Sequence, residues 1–252
     1  MAIEIISQKI TINDVGTTEL VAYLSHPVAT KPRGAVIVGM ELFGLTPYIC
    51  NVTDRLAKEG YLAIAPDFYH RIKPGSVLDY DQKGRTEGFK LLHQISRENA
   101  LVDVHTAMQF LRKRSDCNGK IGFFGLSIGG HIGYLCTSQL NIAASSIFYA
   151  GWLNNTDIPM SQPEPTLALT PGIAQQNGTL LYLVGARDQL INPPQQEAIR
   201  YALEHANVNH EMIVYPEAEH GFFCEDRETF NQNASDDAWR RSLALFTATL
   251  ND

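Results

Sequence analysis

Twelve residues in the middle of the chain, GFFGLSIGGHIG from Gly122 to Gly133, hold five glycines around one serine. Glycine costs roughly 0.5–1 kcal/mol relative to alanine inside a regular element. Such a run therefore marks backbone that turns sharply or approaches something closely. Gly125-Leu126-Ser127-Ile128-Gly129 reads as G-x-S-x-G between a predicted strand and a predicted helix, the pattern of a nucleophile elbow. There the serine sits on a strained turn, and the flanking glycines let neighbouring backbone pass. The chemistry would be attack by the Ser127 hydroxyl on an acyl carbon, with the helix N-terminus directing N–H groups at the developing oxyanion. Gly130 and Gly133 would let that helix lie close on a sheet. A glycine-rich turn with an incidental serine shares the bare pattern, and only the strand–turn–helix context separates the two.

A serine hydroxyl is a poor nucleophile without a base, so this reading requires a histidine and a carboxylate. In a strand–turn–helix hydrolase they follow in the order Ser, acid, His, each just after a strand. Asp188 comes directly after the apolar run TLLYLVGA. Helix capping is its bland alternative, but Asn192 before Pro193, with Gln195 at the third helical position, already supplies a cap. Of the eight histidines, only His205, His210 and His220 follow Asp188. His205 falls inside a predicted helix and His210 opens a strand. His220, in PEAEHGFF beyond the strand HEMIVYP, lies on a loop able to reach the sheet's carboxyl edge. An oxyanion hole takes one amide from the residue after the nucleophile, here Ile128, and one from the loop after an earlier strand. MELFGLTP suits that second task, with Leu42 N–H as donor. Glu41 beside it is either a solvated loop acid or a carboxylate that shapes the site.

The elements that must position these residues alternate. QKITIN and ELVAYLSH, joined by the turn-like DVGTT, predict an antiparallel hairpin. GAVIVGM and YLAIAP are continuous apolar runs suited to strands buried on both faces. PYICNVTDRLAKEG between them has helical spacing, with Gly60 as its stop. After the polar stretch HRIKPGSVLDYDQKG, one long helical pattern continues through NALVDVHTAMQFLRKR. GKIGFFGL, AASSIFYAG, TLLYLVGA and HEMIVYP are further strands. GGHIGYLCTSQL, PPQQEAIRYALEHA and ASDDAWRRSLALFTATL are further helices. This alternation predicts right-handed crossovers around a mostly parallel sheet, an α/β fold. The irregular stretch from Leu153 to Gly178 exceeds ordinary loop length, which predicts a lid or binding loop.

Composition narrows the function classes. At 252 residues the chain fits one large α/β domain over 1–252, big enough to bury about three quarters of its unfolded surface. A formal charge of −7 argues against nucleic acid or an anionic membrane as main partner. The four cysteines have no metal-like spacing, and the first residues lack a secretory pattern. Both point to a cytoplasmic protein with reduced thiols, a monomer or homodimer, acting on a small molecule with no metal or organic cofactor.

Taken together, MELFGLTPY, APDFYHR, GFFGLSIGG, GARDQLI and EAEHGFF resemble the dienelactone hydrolase family of α/β-hydrolases, nearly end to end. The resemblance implies a compact α/β-hydrolase fold without a large cap domain. It places Ser127 at the nucleophile, Asp188 at the acid and His220 at the base. Glu41 matches the family glutamate that contacts the nucleophile, and Leu42 and Ile128 match the oxyanion amides. Arg85, in GRTEGFKLL, aligns with one of two arginines that grip a substrate carboxylate. This chain departs twice: Ser127 stands where the family carries cysteine, and Cys224 stands where the second arginine is expected, four residues after His220. Phe43, Trp152, Phe222 and Phe223 are candidates for an apolar pocket wall. The expectation is a serine hydrolase cleaving a small ester or lactone, poor on carboxylate-bearing dienelactone relative to uncharged substrates. A peptidase or acyl transferase using the same triad, and a non-catalytic binding protein on the same fold, are the alternatives.

Overall fold

The computed structural model of the protein describes residues 3–12, 19–28 and 33–251. Eight strands form one sheet: β1 (Ile5–Ile12), β2 (Leu20–Pro27), β3 (Arg33–Gly39), β4 (Leu62–Pro66), β5 (Cys117–Leu126), β6 (Ala144–Phe148), β7 (Thr179–Gly185) and β8 (Asn209–Tyr215). Their spatial order is β1-β2-β4-β3-β5-β6-β7-β8. β1 and β2 pair antiparallel, as do β2 and β4, and the remaining pairs are parallel. The expected hairpin is present, in register from Ile5↔Pro27 to Ile12↔Leu20, while its DVGTT turn lies outside the described residues. This is the α/β-hydrolase fold.

Apolar runs become central strands because helices cover both faces of the sheet. Every residue of β4 and of β6 is buried. Alternate residues of β5 show the two layers: Gly122 faces Phe246 and Leu250 of α7 (Gln232–Leu250), whereas Gly125 faces Gly129 of α4 (Ile128–Gln139). α1 (Pro47–Lys58) shares the α7 side, where the Arg55 guanidinium lies 4.3 Å from the Trp239 ring centroid. The predicted long helix is two, α2 (Gln82–Leu92) and α3 (Arg97–Arg112). Ser96 forces the break, because its Oγ accepts from Asn99 N at 3.1 Å and so begins a new helix. α6 (Pro193–His205) starts at the expected Asn192–Gln195 capping box.

The 153–178 stretch is not the lid its length suggests. It folds into two 3₁₀ turns, Pro159–Ser161 and Thr166–Leu169, and the short α5 (Thr170–Gln175). Side chains of α3 and α4 hold it down. Arg97 donates to the carbonyls of Met160 (3.0 Å) and Glu164 (2.6 Å), and Tyr134 bonds Thr170 at 2.6 Å. His131 is wholly enclosed, its Nδ1 2.8 Å from Gly151 O and its Nε2 2.9 Å from Thr166 Oγ1.

Burial pushes the His131 pKa from its ordinary 6.5 down to about 4. Between those values the unfolded chain binds a proton that the folded chain does not. Stability present above pH 6.5 is therefore lost as pH falls toward 4, by about 3 kcal/mol at one pKa unit per ~1.4 kcal/mol. Urea denaturation followed across this pH range should show that loss in the wild type and a shallower one in His131→Gln. Parallel pH profiles for the two proteins would refute the assignment.

Candidate active site

β5 ends at Leu126, and the next residue turns the chain into α4. Ser127 has φ +54° and ψ −112°, a conformation that costs a non-glycine residue about 1–3 kcal/mol. Hydrogen bonds hold it there. Ser127 N donates to Phe148 O at 3.1 Å, and Ser127 O accepts from His131 N at 3.0 Å. Gly129 N reaches Met40 O at 2.9 Å, and a Cβ at Gly129 would collide with the Gly39 backbone. The glycine run thus lets the start of α4 ride directly on β3.

The loops after β7 and β8 bring two further groups to this turn. The Ser127 hydroxyl lies 3.0 Å from His220 Nε2, and His220 Nδ1 lies 2.9 Å from Asp188 Oδ2. A carboxylate can only accept, so Nδ1 carries the ring proton and Nε2 is left to receive one from the serine. Asp188 is buried, and its Oδ1 accepts from the amides of Leu190 (2.8 Å) and Ile191 (3.1 Å). Both carboxylate oxygens are therefore occupied and the group cannot swing away from the imidazole.

Opposite, a turn from Glu41 to Gly44 closes with Gly44 N donating to Glu41 O at 3.2 Å. Leu42 N sits at the second position of this turn and Ile128 N in the first turn of α4. Neither has an acceptor among the described residues. The Tyr69 hydroxyl pins the loop by donating to Leu42 O at 2.9 Å.

Glu41 is not a solvated acid. It is 1% exposed, and its Oε1 accepts from Arg227 at 3.1 Å and from the Tyr149 hydroxyl at 3.4 Å. Its Oε2 is buried with no partner among the described residues. Burial opposes the charge on Arg227 most strongly, but Glu41, Tyr149 and Cys224 together hold the guanidinium pKa above its ordinary value. Gly221, at φ +83°, makes the pair possible, since a Cβ there would overlap that guanidinium. Arg227, seven residues past His220, lines the cavity, whereas Cys224, at the position where the family resemblance expects the second arginine, does not. Cys224 is buried. Burial, then proximity to Glu41, pushes its thiol up to about 12.

A cavity of about 300 Å³ opens over Ser127 and His220, walled by Phe43, Phe89 and Trp152, with Arg85 and Arg187 at its margin. Phe222 and Phe223 are not part of it. Both are fully buried, Phe222 against Phe148, Tyr149 and Tyr215, and Phe223 against Phe124 and Phe148, so they are core residues. Phe89 was legible in principle, one helical turn beyond Arg85 on α2. Arg187 and Tyr149 carried no comparable signal. Among the described residues no cluster of three or more His, Cys, Asp or Glu side chains is placed to hold a metal ion.

The chain belongs to the dienelactone hydrolase family, whose family model matches residues 20–250, and it is a hydrolase of that family. A Synechocystis protein named "Putative carboxymethylenebutenolidase" is 35% identical over 254 residues, covering 99% of this chain and 100% of the relative. A carboxymethylenebutenolidase from Pseudomonas putida is 26% identical over 195 residues, 77% of each chain. A crystal structure from Klebsiella pneumoniae, described as that of a "Putative Dienelactone Hydrolase", superposes with a TM-score of 0.86 at 29% identity. It covers 97% of this chain and 99% of that one.

Removing one partner of a buried ion pair strands the other. Arg227→Ala should therefore lower stability by about 3 kcal/mol, read as a shifted urea midpoint, and adding Glu41→Gln should recover part of the loss. A double variant less stable than Arg227→Ala alone would contradict this account.

Proposed function

We propose that the protein is a serine hydrolase of small esters or lactones, working through an acyl-enzyme on Ser127. The observation that carries this reading is the continuous relay from Ser127 Oγ through His220 to Asp188, at 3.0 and 2.9 Å, at a strained strand-to-helix turn. Ser127 Oγ attacks the carbonyl carbon while His220 Nε2 takes its proton. Asp188 holds the imidazole in the required tautomer and stabilises its cation. The amides of Leu42 and Ile128 receive the oxyanion. His220 then protonates the leaving oxygen, which in a lactone stays attached to the acyl group. Water, deprotonated by the same imidazole, releases the acid and restores Ser127.

The pocket supports a small substrate, since about 300 Å³ is the low end of ligand cavities. The names of the family and of the Pseudomonas putida relative support lactones within that class. Arg85 has no ion-pair partner among the described residues and sits at the cavity margin, where a substrate carboxylate can meet it. Arg227 also lines the cavity, but its charge is already engaged by Glu41, which leaves Arg85 as the group expected to meet a substrate carboxylate.

A fluorophosphonate probe should label Ser127 in the wild type and fail to label His220→Ala. Ester turnover in that variant should fall by ~10³-fold or more. Peptide mapping that finds the adduct elsewhere, or labelling that survives in His220→Ala, would remove Ser127 from the nucleophile's role.

A further inference from the structure

The four residues leaving β6, Tyr149 to Trp152, are each tied by a hydrogen bond, the first two to β7 and the others to α4 and the 153–178 buttress. Tyr149 N donates to Leu183 O on β7 at 2.7 Å. Ala150 O accepts from the Tyr182 hydroxyl at 2.8 Å, and Gly151 O from His131 Nδ1 on α4 at 2.8 Å. Trp152 O accepts from Ser161 Oγ, in the 153–178 buttress, also at 2.8 Å. Two of the four, Tyr149 and Trp152, have positive φ (+37° and +57°). Strained backbone persists only where its surroundings over-determine it. Here that over-determination presents an indole to the cavity. Trp152 meets Phe89 edge to face, ring centroids 6.1 Å apart at 81°, and both rings are only half-buried. The two line the same cavity as Ser127.

We propose that Trp152 and Phe89 form a recognition wall for an aryl group of the substrate, and that His131 is the positioning residue that sets this wall through Gly151. A flat ring can stack on one wall ring while meeting the edge of the other, an arrangement a puckered alkyl ring cannot make. His131 suits its task because both ring nitrogens are committed. Nδ1–H donates to Gly151 O, and Nε2 accepts from the Thr166 hydroxyl, whose backbone belongs to the buttress. The buried, neutral imidazole thus transmits the position of the 3₁₀ turn at Thr166 to the wall. Ser127, four residues earlier, is the N-cap of the same α4, so nucleophile and wall are set by one rigid element.

This inference deepens the hydrolase reading and rests on it for the word substrate, but its test needs no turnover. In a Ser127→Ala background, methyl phenylacetate and methyl cyclohexylacetate share a leaving group and a six-carbon ring, the first flat and aromatic, the second puckered and saturated. Extra hydrophobicity therefore favours the cyclohexyl ester and cannot mimic the expected preference. Ligand-observed NMR titration should give roughly fivefold tighter binding of the phenyl ester. Trp152→Leu should bring the ratio close to one. His131→Asn, or the milder Thr166→Val should the first not fold, should lower the ratio. In a Trp239→Phe background either should also shift the emission of the remaining Trp152 indole, a signature that general destabilisation of the native state does not produce. Equal affinities in Ser127→Ala, or a preference that survives Trp152→Leu, would overturn the wall. An unchanged ratio and emission in both the His131 and Thr166 variants would overturn the positioning role. Failure of the hydrolase reading would show separately, as wild-type protein that takes no fluorophosphonate label at Ser127.

Discussion

At Ser127 the chain leaves a buried strand and enters a helix within one residue, and the rest of the site is arranged around the backbone contact that this turn requires. The start of α4 must touch β3, and it can do so only because Gly39 and Gly129 meet with no side chain between them. That contact sits beside the point where the sheet order reverses: the chain runs from β3 outward to β4, then returns to add β5 on the other side. Crevices at the carboxyl ends of strands around such a reversal are where ligands bind in open α/β sheets. The Leu42 loop follows β3 and Ser127 follows β5, so the two amides proposed as oxyanion donors come from the two strands that straddle the reversal.

Two buried carboxylates serve this crevice and are satisfied in opposite ways. Asp188 has both oxygens engaged, one by two amides and the other by His220. It is therefore held fixed, as a group that orients an imidazole must be. Glu41 crowds Arg227 and Tyr149 onto one oxygen and leaves the other without a partner among the described residues. A bare buried carboxylate oxygen is costly unless something at the site meets it. The Tyr149 ring also lies against His220, centroids 5.0 Å apart, so the residue that steadies Glu41 packs on the proposed base as well.

Much of this was legible beforehand, and for local reasons. The strand–turn–helix at Ser127, the Asn192 cap that freed Asp188, and the apolar runs of the central strands are short-range patterns. Such patterns do not depend on what lies across the fold. Failures came where a long-range contact decides. Ser96 splits one helical pattern in two because a cap can compete with continuation. Leu153 to Gly178 read as a lid on length, but Arg97, His131 and Tyr134, all distant in sequence, pin it down. Phe222 and Phe223 follow His220 directly and still turn into the core. Arg227, seven residues on, returns to the site over a glycine whose purpose is visible only once the guanidinium lies across it.

The sheet itself sets how far the site's loops must reach. Leu126, Phe148, Leu183 and Ile213 stand level across β5, β6, β7 and β8. With strands spaced about 4.8 Å apart, β7 lies roughly 10 Å and β8 roughly 14 Å from β5, which ends just before Ser127. Ser127 is the first residue past its level, Asp188 comes five past Leu183, and His220 comes seven past Ile213. At no more than about 3.3 Å per residue, the longest of these segments can span the distance from β8 with a few residues to spare for its turn, and the shorter one stops between. A thiol with a depressed pKa can attack as a preformed thiolate. A serine hydroxyl must lose its proton as it attacks, so its base has to be in contact beforehand. The increasing loop lengths bring Asp188, His220 and the Ser127 hydroxyl into one hydrogen-bonded chain from three strands, and that contact is what a serine nucleophile, as proposed, would demand of the fold.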